Sequence, residues 1–124
     1  MAKGTDQIER LIDQIDQAPD KLHGDYTPAV YQLIDIGRPA LPDALGLMLS
    51  AEERTRLRAQ RVLEGITMGL YGFRPGRGWP HERDEEAWRS FWAGLGNLSY
   101  DAPAAARKES VRLWRQWLAQ SKGE

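Results

Sequence analysis

Cysteine is absent from the 124-residue sequence, and histidine occurs only twice. The absence of cysteine excludes disulfides, thiol nucleophiles, cysteine-ligated zinc and iron–sulfur clusters. Two histidines leave few ligands for an all-histidine metal site, so we expect neither a metal nor another cofactor. The sequence also contains no Ser–His–Asp arrangement and no glycine-rich phosphate-binding motif. These absences predict a protein without catalytic residues.

Long apolar runs are missing as well, because Asp, Gln, Arg or Gly interrupts every hydrophobic stretch. No stretch approaches the roughly 18 apolar residues of a membrane span, so we expect no membrane association. The first twenty residues lack the apolar core of a signal peptide, which predicts a cytoplasmic protein. With 41% hydrophobic and 28% charged residues, a chain of this length predicts one globular domain over residues 1–124.

Neither sign of charge dominates, since the net charge is −1. Nucleic-acid-binding domains usually carry a strong basic excess, so the composition argues against a nucleic-acid partner. The charge is nevertheless uneven, because residues 1–37 contain seven acids against three bases. Acids recur there at helical spacing, as Asp6, Glu9, Asp13, Asp16 and Asp20. This acidic stripe is either a solvated helix face or a docking surface for a basic partner.

Apolar residues recur at helical spacing in six segments, and no segment has the alternation of a half-buried strand. The expected helix-starting residues are Thr5, Thr27, Ser50 and Asp84, and the expected stops are Gly37 and Gly96. Short connections favour antiparallel neighbours. The sequence therefore predicts an all-α fold, a short α-solenoid of about three antiparallel helical hairpins over residues 5–36, 39–66 and 84–119.

In the central segment, residues 28–67, a glycine turn at Gly37 is followed by prolines at 39 and 42 and then by Arg56. A first helix follows the Gly37 turn and a second helix reads Arg56-x-x-Ala59-x-x-x-Leu63. This pattern resembles the HEAT repeat. The resemblance implies an α-solenoid whose second helices line a concave surface for binding proteins, and it implies no catalytic residue. The aspartate that HEAT repeats usually carry in the turn between the helices is replaced here by Ser50-Ala51-Glu52.

Tryptophan is the most unusual component, with five copies. Trp88 and Trp92 lie one turn apart, as do Trp114 and Trp117, so the two pairs are expected to face each other across the last hairpin. Each large aromatic side chain buries roughly 150–250 Å². We therefore interpret these residues as the core of the last hairpin, with a ligand-stacking cleft as the alternative.

Residues 67–83 show no periodicity and form a predicted loop that is longer than most helix–helix connections. Arginines and aromatic residues alternate in this loop, and both types are enriched where binding energy is concentrated. Two more arginines lie close by on one face of the preceding helix. The candidate partner-binding residues are therefore Arg58, Arg61, Tyr71, Phe73, Arg74, Arg77 and Trp79.

Two alternatives remain open for these candidates. The loop could fold back and bury its own aromatic residues over the helix ends. Arg58 and Arg61 could pair with Glu64 or with the acidic stripe.

The sequence as a whole predicts a non-enzymatic protein-interaction module or scaffold with a protein partner. The alternative is an enzyme-associated or nucleic-acid-binding HEAT-like domain that uses the loop. The sequence does not specify an oligomeric state.

Overall fold

The computed structural model describes residues 3–121. The six helices are α1 (Lys3–Asp13), α2 (Pro28–Ile36), α3 (Leu41–Leu47), α4 (Glu53–Leu70), α5 (Glu82–Gly94) and α6 (Ala104–Ser121), and a 3-10 turn (Arg38–Ala40) precedes α3. Within residues 3–121 the only β-type pairing is an isolated bridge between Arg74 and Gly78. The all-α prediction is therefore confirmed. No helix in the described range is long and apolar enough to cross a membrane.

Helix α2 is the element that its local sequence specifies best. The Thr27 hydroxyl accepts a hydrogen bond from the backbone N–H of Val30 at 3.2 Å, as expected for an N-cap. The same hydroxyl donates to the carbonyl of Ile15 at 2.8 Å, which ties the start of α2 to the segment after α1. Gly37 ends the helix with a φ of 87°. The predicted boundaries of this helix are confirmed.

Three predicted helix starts are wrong. Helix α1 begins at Lys3, so Thr5 lies inside it. Ser50 does not cap α4, because its hydroxyl accepts from the backbone N–H of Glu52 at 3.1 Å and so makes a local turn before the helix. Asp84 lies in the first turn of α5, where the helix dipole favours a carboxylate. The polar residues mark the right regions but do not serve as the caps.

The connection between α4 and α5 is shorter than the predicted loop over residues 67–83. Helix α4 continues to Leu70 because Ile66 and Thr67 are buried in it. The Thr67 hydroxyl donates to the carbonyl of Leu63 at 2.8 Å and accepts from Trp88 Nε1 at 2.8 Å. Tertiary packing thus extends the helix past the point where its pattern fades. The remaining connection, residues 71–81, is called the α4–α5 loop below.

Helices α3 and α4 lie side by side and between them contact all four other helices. The consecutive pairs α1–α2, α3–α4 and α5–α6 are called the first, central and last hairpin below. In the first hairpin α1 lies against α3 and α2 lies against α4. In the last hairpin the order is reversed, because α5 lies against α4 and α6 lies against α3. The central hairpin supplies many of the completely buried side chains: Leu41, Ala44, Leu45, Ala59, Val62 and Leu63. One hydrophobic cluster runs through all three hairpins.

The last hairpin is held together by aromatic residues around Trp114. This side chain is 0% exposed. Its ring centroid lies 5.1 Å from that of Trp92, 5.5 Å from that of Phe91 and 6.0 Å from that of Trp117. Trp92 is half-buried and its Nε1 donates to the carbonyl of Leu98 at 3.0 Å. Trp92 and Trp114 thus face each other as predicted, whereas Trp88 packs on Trp79 of the α4–α5 loop.

Candidate functional site

The α4–α5 loop ends in a closed turn. The backbone N–H of Arg74 donates to the carbonyl of Gly78 at 3.1 Å. In return, the N–H groups of Arg77 and Gly78 donate to the carbonyl of Arg74 at 2.9 and 2.8 Å. Gly76 and Gly78 have φ values of 81° and 76°, a region that glycine enters at little cost. The glycines of the sequence thus fold this segment into a defined tip.

Two arginine side chains are exposed at this tip. Nη1 of Arg74 donates to the carbonyls of Phe73 at 2.8 Å and Gly69 at 3.2 Å, near the end of α4. A positive charge is favourable there because it faces the negative end of the helix dipole. Arg77 has no ion-pair or side-chain hydrogen-bond partner within residues 3–121. Its guanidinium donors therefore remain available for a partner.

The aromatic side chains of the loop pack against α5. The ring centroids of Phe73 and Trp79 lie 5.4 Å apart, and those of Trp79 and Trp88 lie 6.1 Å apart. Tyr71 packs on Phe91 at 5.5 Å. All three loop rings are half-buried. This is the alternative stated from the sequence, in which the loop buries its own aromatic residues, and the packing joins the tip to the Trp114 cluster.

Arg58 lies inside the protein, with its side chain only 6% exposed. Its Nε and Nη2 donate to the carbonyl of Gly24 at 3.1 and 2.8 Å, and its Nη1 donates to Asp16 at 2.8 Å. Asp16 also accepts from the Thr55 hydroxyl at 2.6 Å. Arg58 therefore fastens the segment after α1 to α4. Asp16 belongs to the acidic stripe, so Arg58 makes the pairing that the sequence analysis gave as its alternative role.

Arg61 is likewise engaged within the chain. Its Nε donates to Asp25, and its Nη1 donates to Glu64 at 3.0 Å. Burial acts to raise the pKa of Asp25, but the hydrogen bond and the charge of Arg61 outweigh it, and the pKa of Asp25 is lowered overall. Arg58 and Arg61 face the segment before α2, whereas the α4–α5 loop packs on α5. The seven predicted residues therefore do not form one site.

The lowered pKa of Asp25 predicts an effect on acid stability. A carboxyl whose pKa is lower in the folded state stabilises the fold above its unfolded pKa of about 3.9 and loses this contribution as the pH falls through its folded pKa. Asp25→Asn is expected to cost about 1 kcal/mol at pH 7. As the pH falls below 4, the free energy of unfolding measured in urea should decrease less for Asp25→Asn than for wild type. The exposed Asp35→Asn serves as the control, and an unchanged acid profile in Asp25→Asn would contradict the assignment.

Arg56 has a role that the sequence analysis did not assign. Its Nη1 donates to the carbonyl of Ser50 and its Nε to the carbonyl of Tyr100, both at 2.8 Å. Gln60 Oε1 accepts from the N–H of Tyr100 at 2.8 Å. Arg56 thus binds two backbone carbonyls, one in the turn before α4 and one between α5 and α6. The result is that α4 positions the connection between α5 and α6.

The sequence analysis also did not identify a second candidate surface, which lies along α6. It is an open groove of about 500 Å³ with Leu49, Val111 and Ala119 among its lining residues. Three basic side chains border it: Lys108, Arg112 and Arg115. The sequence contained a signal, because these bases recur at positions i, i+4 and i+7 of a segment with only one acid, Glu109. Called the α6 groove below, it combines an apolar floor with a positive rim.

Within the described range no group of three or more His, Asp or Glu side chains is arranged to hold a metal ion. Both histidines, His23 and His81, are exposed. Comparisons with protein-family models, with curated protein sequences and with solved structures found no match to this chain.

Proposed function

We propose that this protein is a small, non-enzymatic protein-interaction module of the cytoplasm and that the tip of the α4–α5 loop contacts its partner. The observation that carries the proposal is the exposed Arg77 side chain, whose donors have no partner within residues 3–121. Arginine is among the residue types that dominate binding energy at protein interfaces. A guanidinium also recognises carboxylates with two parallel hydrogen bonds. The expected partner surface is therefore acidic.

The support beneath the tip strengthens this proposal. The turn is closed by backbone hydrogen bonds between Arg74 and Gly78, and the rings of Phe73 and Trp79 pack below it. A segment that is ordered before binding loses less conformational entropy when it binds. The loop therefore presents its arginines from a fixed base.

The repeat-like scaffold is part of the same proposal. The first and central hairpins stack in the same order, as a solenoid would require, and Arg56 supports the turn of the central hairpin. Both features favour a HEAT-like origin for residues 3–70. The reversed last hairpin departs from a regular solenoid. We propose that it serves mainly to carry the α4–α5 loop.

The proposal predicts the effect of removing the two exposed charges. The double variant Arg74→Ser/Arg77→Ser should bind a partner captured from the native host at least tenfold more weakly, because arginine anchors contribute about 1–2 kcal/mol or more each. Trp79 is left in place because its ring packs on Trp88 and its removal would disturb the fold. Pull-down with mass spectrometry identifies the partner, and calorimetry then measures the dissociation constant.

The matched control is Arg10→Ser/Arg54→Ser, which removes two exposed arginines from α1 and α4. Both double variants have the same net charge, so a general electrostatic effect would weaken binding equally in the two. Equal weakening, or none in the loop variant, would contradict the proposal. Tight binding of a single-stranded oligonucleotide that falls steeply with added salt would instead support a nucleic-acid-binding domain.

A further inference from the structure

The α6 groove presents a row of positive charges to solvent. Lys108, Arg112 and Arg115 are all exposed on one face of α6. Lys108 and Arg115 have no ion-pair partner within residues 3–121, and Arg112 pairs only with the exposed Glu109 at 2.6 Å. Among the described residues, Glu109 is therefore the only acid that pairs with this row of bases. The groove is separate from the α4–α5 loop and has no part in the function proposed above.

The outer face of α1 presents a matching row of negative charges. Asp6, Glu9 and Asp13 are exposed and form no ion pair with any side chain described in the structure. The apolar residues of the helix, including Ile8 and Leu11, point into the core. Packing therefore uses one face of α1 and leaves these three acids exposed, with the exposed Arg10 beside them.

The two rows have the same spacing when the helices are antiparallel. From Asp6 the acids follow after three and seven residues. From Arg115 the bases follow, towards the N-terminus, also after three and seven residues. Each row is about 10.5 Å long at 1.5 Å per residue. The antiparallel register joins three pairs: Asp6 with Arg115, Glu9 with Arg112 and Asp13 with Lys108. A parallel register would displace the middle pair by one residue, or about 100° around the helix.

No ion pair joins the two rows within residues 3–121, although α1 and α6 both contact α3. Helix α1 lies against α2 and α3, whereas α6 packs on α3 as part of the hairpin beyond it. We propose that the acidic face of α1 of one molecule docks antiparallel on the α6 groove of a second copy of this chain. The contact is head-to-tail, so each added molecule presents the same two faces again and forms open chains or closed rings.

Two neutralised variants test this pairing. One replaces the bases (Lys108→Gln/Arg112→Gln/Arg115→Gln) and the other replaces the acids (Asp6→Asn/Glu9→Gln/Asp13→Asn). All six residues are exposed, so circular dichroism should show unchanged helix content. Analytical ultracentrifugation at about 0.5 mM protein should show wild type above the monomer mass at about 20 mM salt and as a monomer at about 500 mM salt. Each variant alone should remain a monomer at both salt concentrations.

The mixture of the two variants is the decisive measurement. Only one complementary pair of faces remains in it, so an equimolar mixture should form a one-to-one dimer and nothing larger. A matched control, Asp35→Asn/Asp43→Asn, removes exposed acids from other helices and should associate like wild type. A wild-type monomer at low salt, self-association of either variant alone, or a mixture without dimers would overturn the proposal. A monomeric wild type whose α6 groove binds a poly-glutamate peptide would assign the groove to a different acidic partner.

Discussion

Replacing Trp114 with alanine is expected to lower the free energy of unfolding by about 3–5 kcal/mol, the usual cost of removing a large buried aromatic side chain. Trp114 is completely buried, and three aromatic neighbours, Phe91, Trp92 and Trp117, pack around it. These rings are held in place by their own helices, so they cannot close the cavity. Urea unfolding followed by circular dichroism measures the change.

Trp114→Phe provides the matched control. It retains an aromatic ring and removes an indole N–H that is buried without a hydrogen-bond acceptor. An unpaired buried donor is costly, so part of the lost packing is offset. We expect this variant to lose clearly less stability than Trp114→Ala. A loss below about 1 kcal/mol for Trp114→Ala would contradict its placement in the core.

Replacing Arg58 with alanine is expected to cost about 2–3 kcal/mol, because hydrogen bonds to charged groups contribute more than neutral ones. The variant loses two donors to the carbonyl of Gly24 and one to Asp16. It also leaves a gap where a nearly buried side chain had been. The segment between α1 and α2 would then be held to α4 by the hydrogen bond from the Thr55 hydroxyl to Asp16 and by the pairing of Arg61 with Asp25.

Arg54→Ala is the control for Arg58, since Arg54 lies one turn earlier on α4 and is exposed. Its loss should change stability by no more than about 0.5 kcal/mol. Thermal and urea unfolding of both variants tests the difference. If Arg58→Ala kept its stability and lost binding to a captured partner, Arg58 would be a contact residue and its internal role would be wrong.

Local patterns predicted the helices and their buried faces well, because a helical period records which residues pack inward. Thr27 and Gly37 act within a few residues of themselves, so their roles could be predicted from the sequence. The end of α4 could not be predicted in this way. Gly65 and Gly69 weaken the helical pattern there, but burial of Ile66 and Thr67 and the hydrogen bond from Trp88 extend the helix.

The candidate site was harder to predict because an arginine in a helical pattern does not reveal what its guanidinium contacts. Arg58 and its partner Asp16 are 42 residues apart in sequence, and only the folded chain brings them together. The same reason hid the role of Arg56, whose second partner is the carbonyl of Tyr100. The loop arginines at 74 and 77 differ, because a glycine-rich turn exposes side chains by its local geometry.

The aromatic row has a spectroscopic consequence. All five tryptophans lie in the α4–α5 loop and the last hairpin, and none lies in residues 1–78. Intrinsic fluorescence therefore reports on the last third of the molecule, whereas far-ultraviolet circular dichroism reports on every helix. Coincident unfolding curves from the two probes would show that the reversed hairpin melts together with the rest. Separate curves would show that the last hairpin unfolds independently and that tryptophan fluorescence follows only this part.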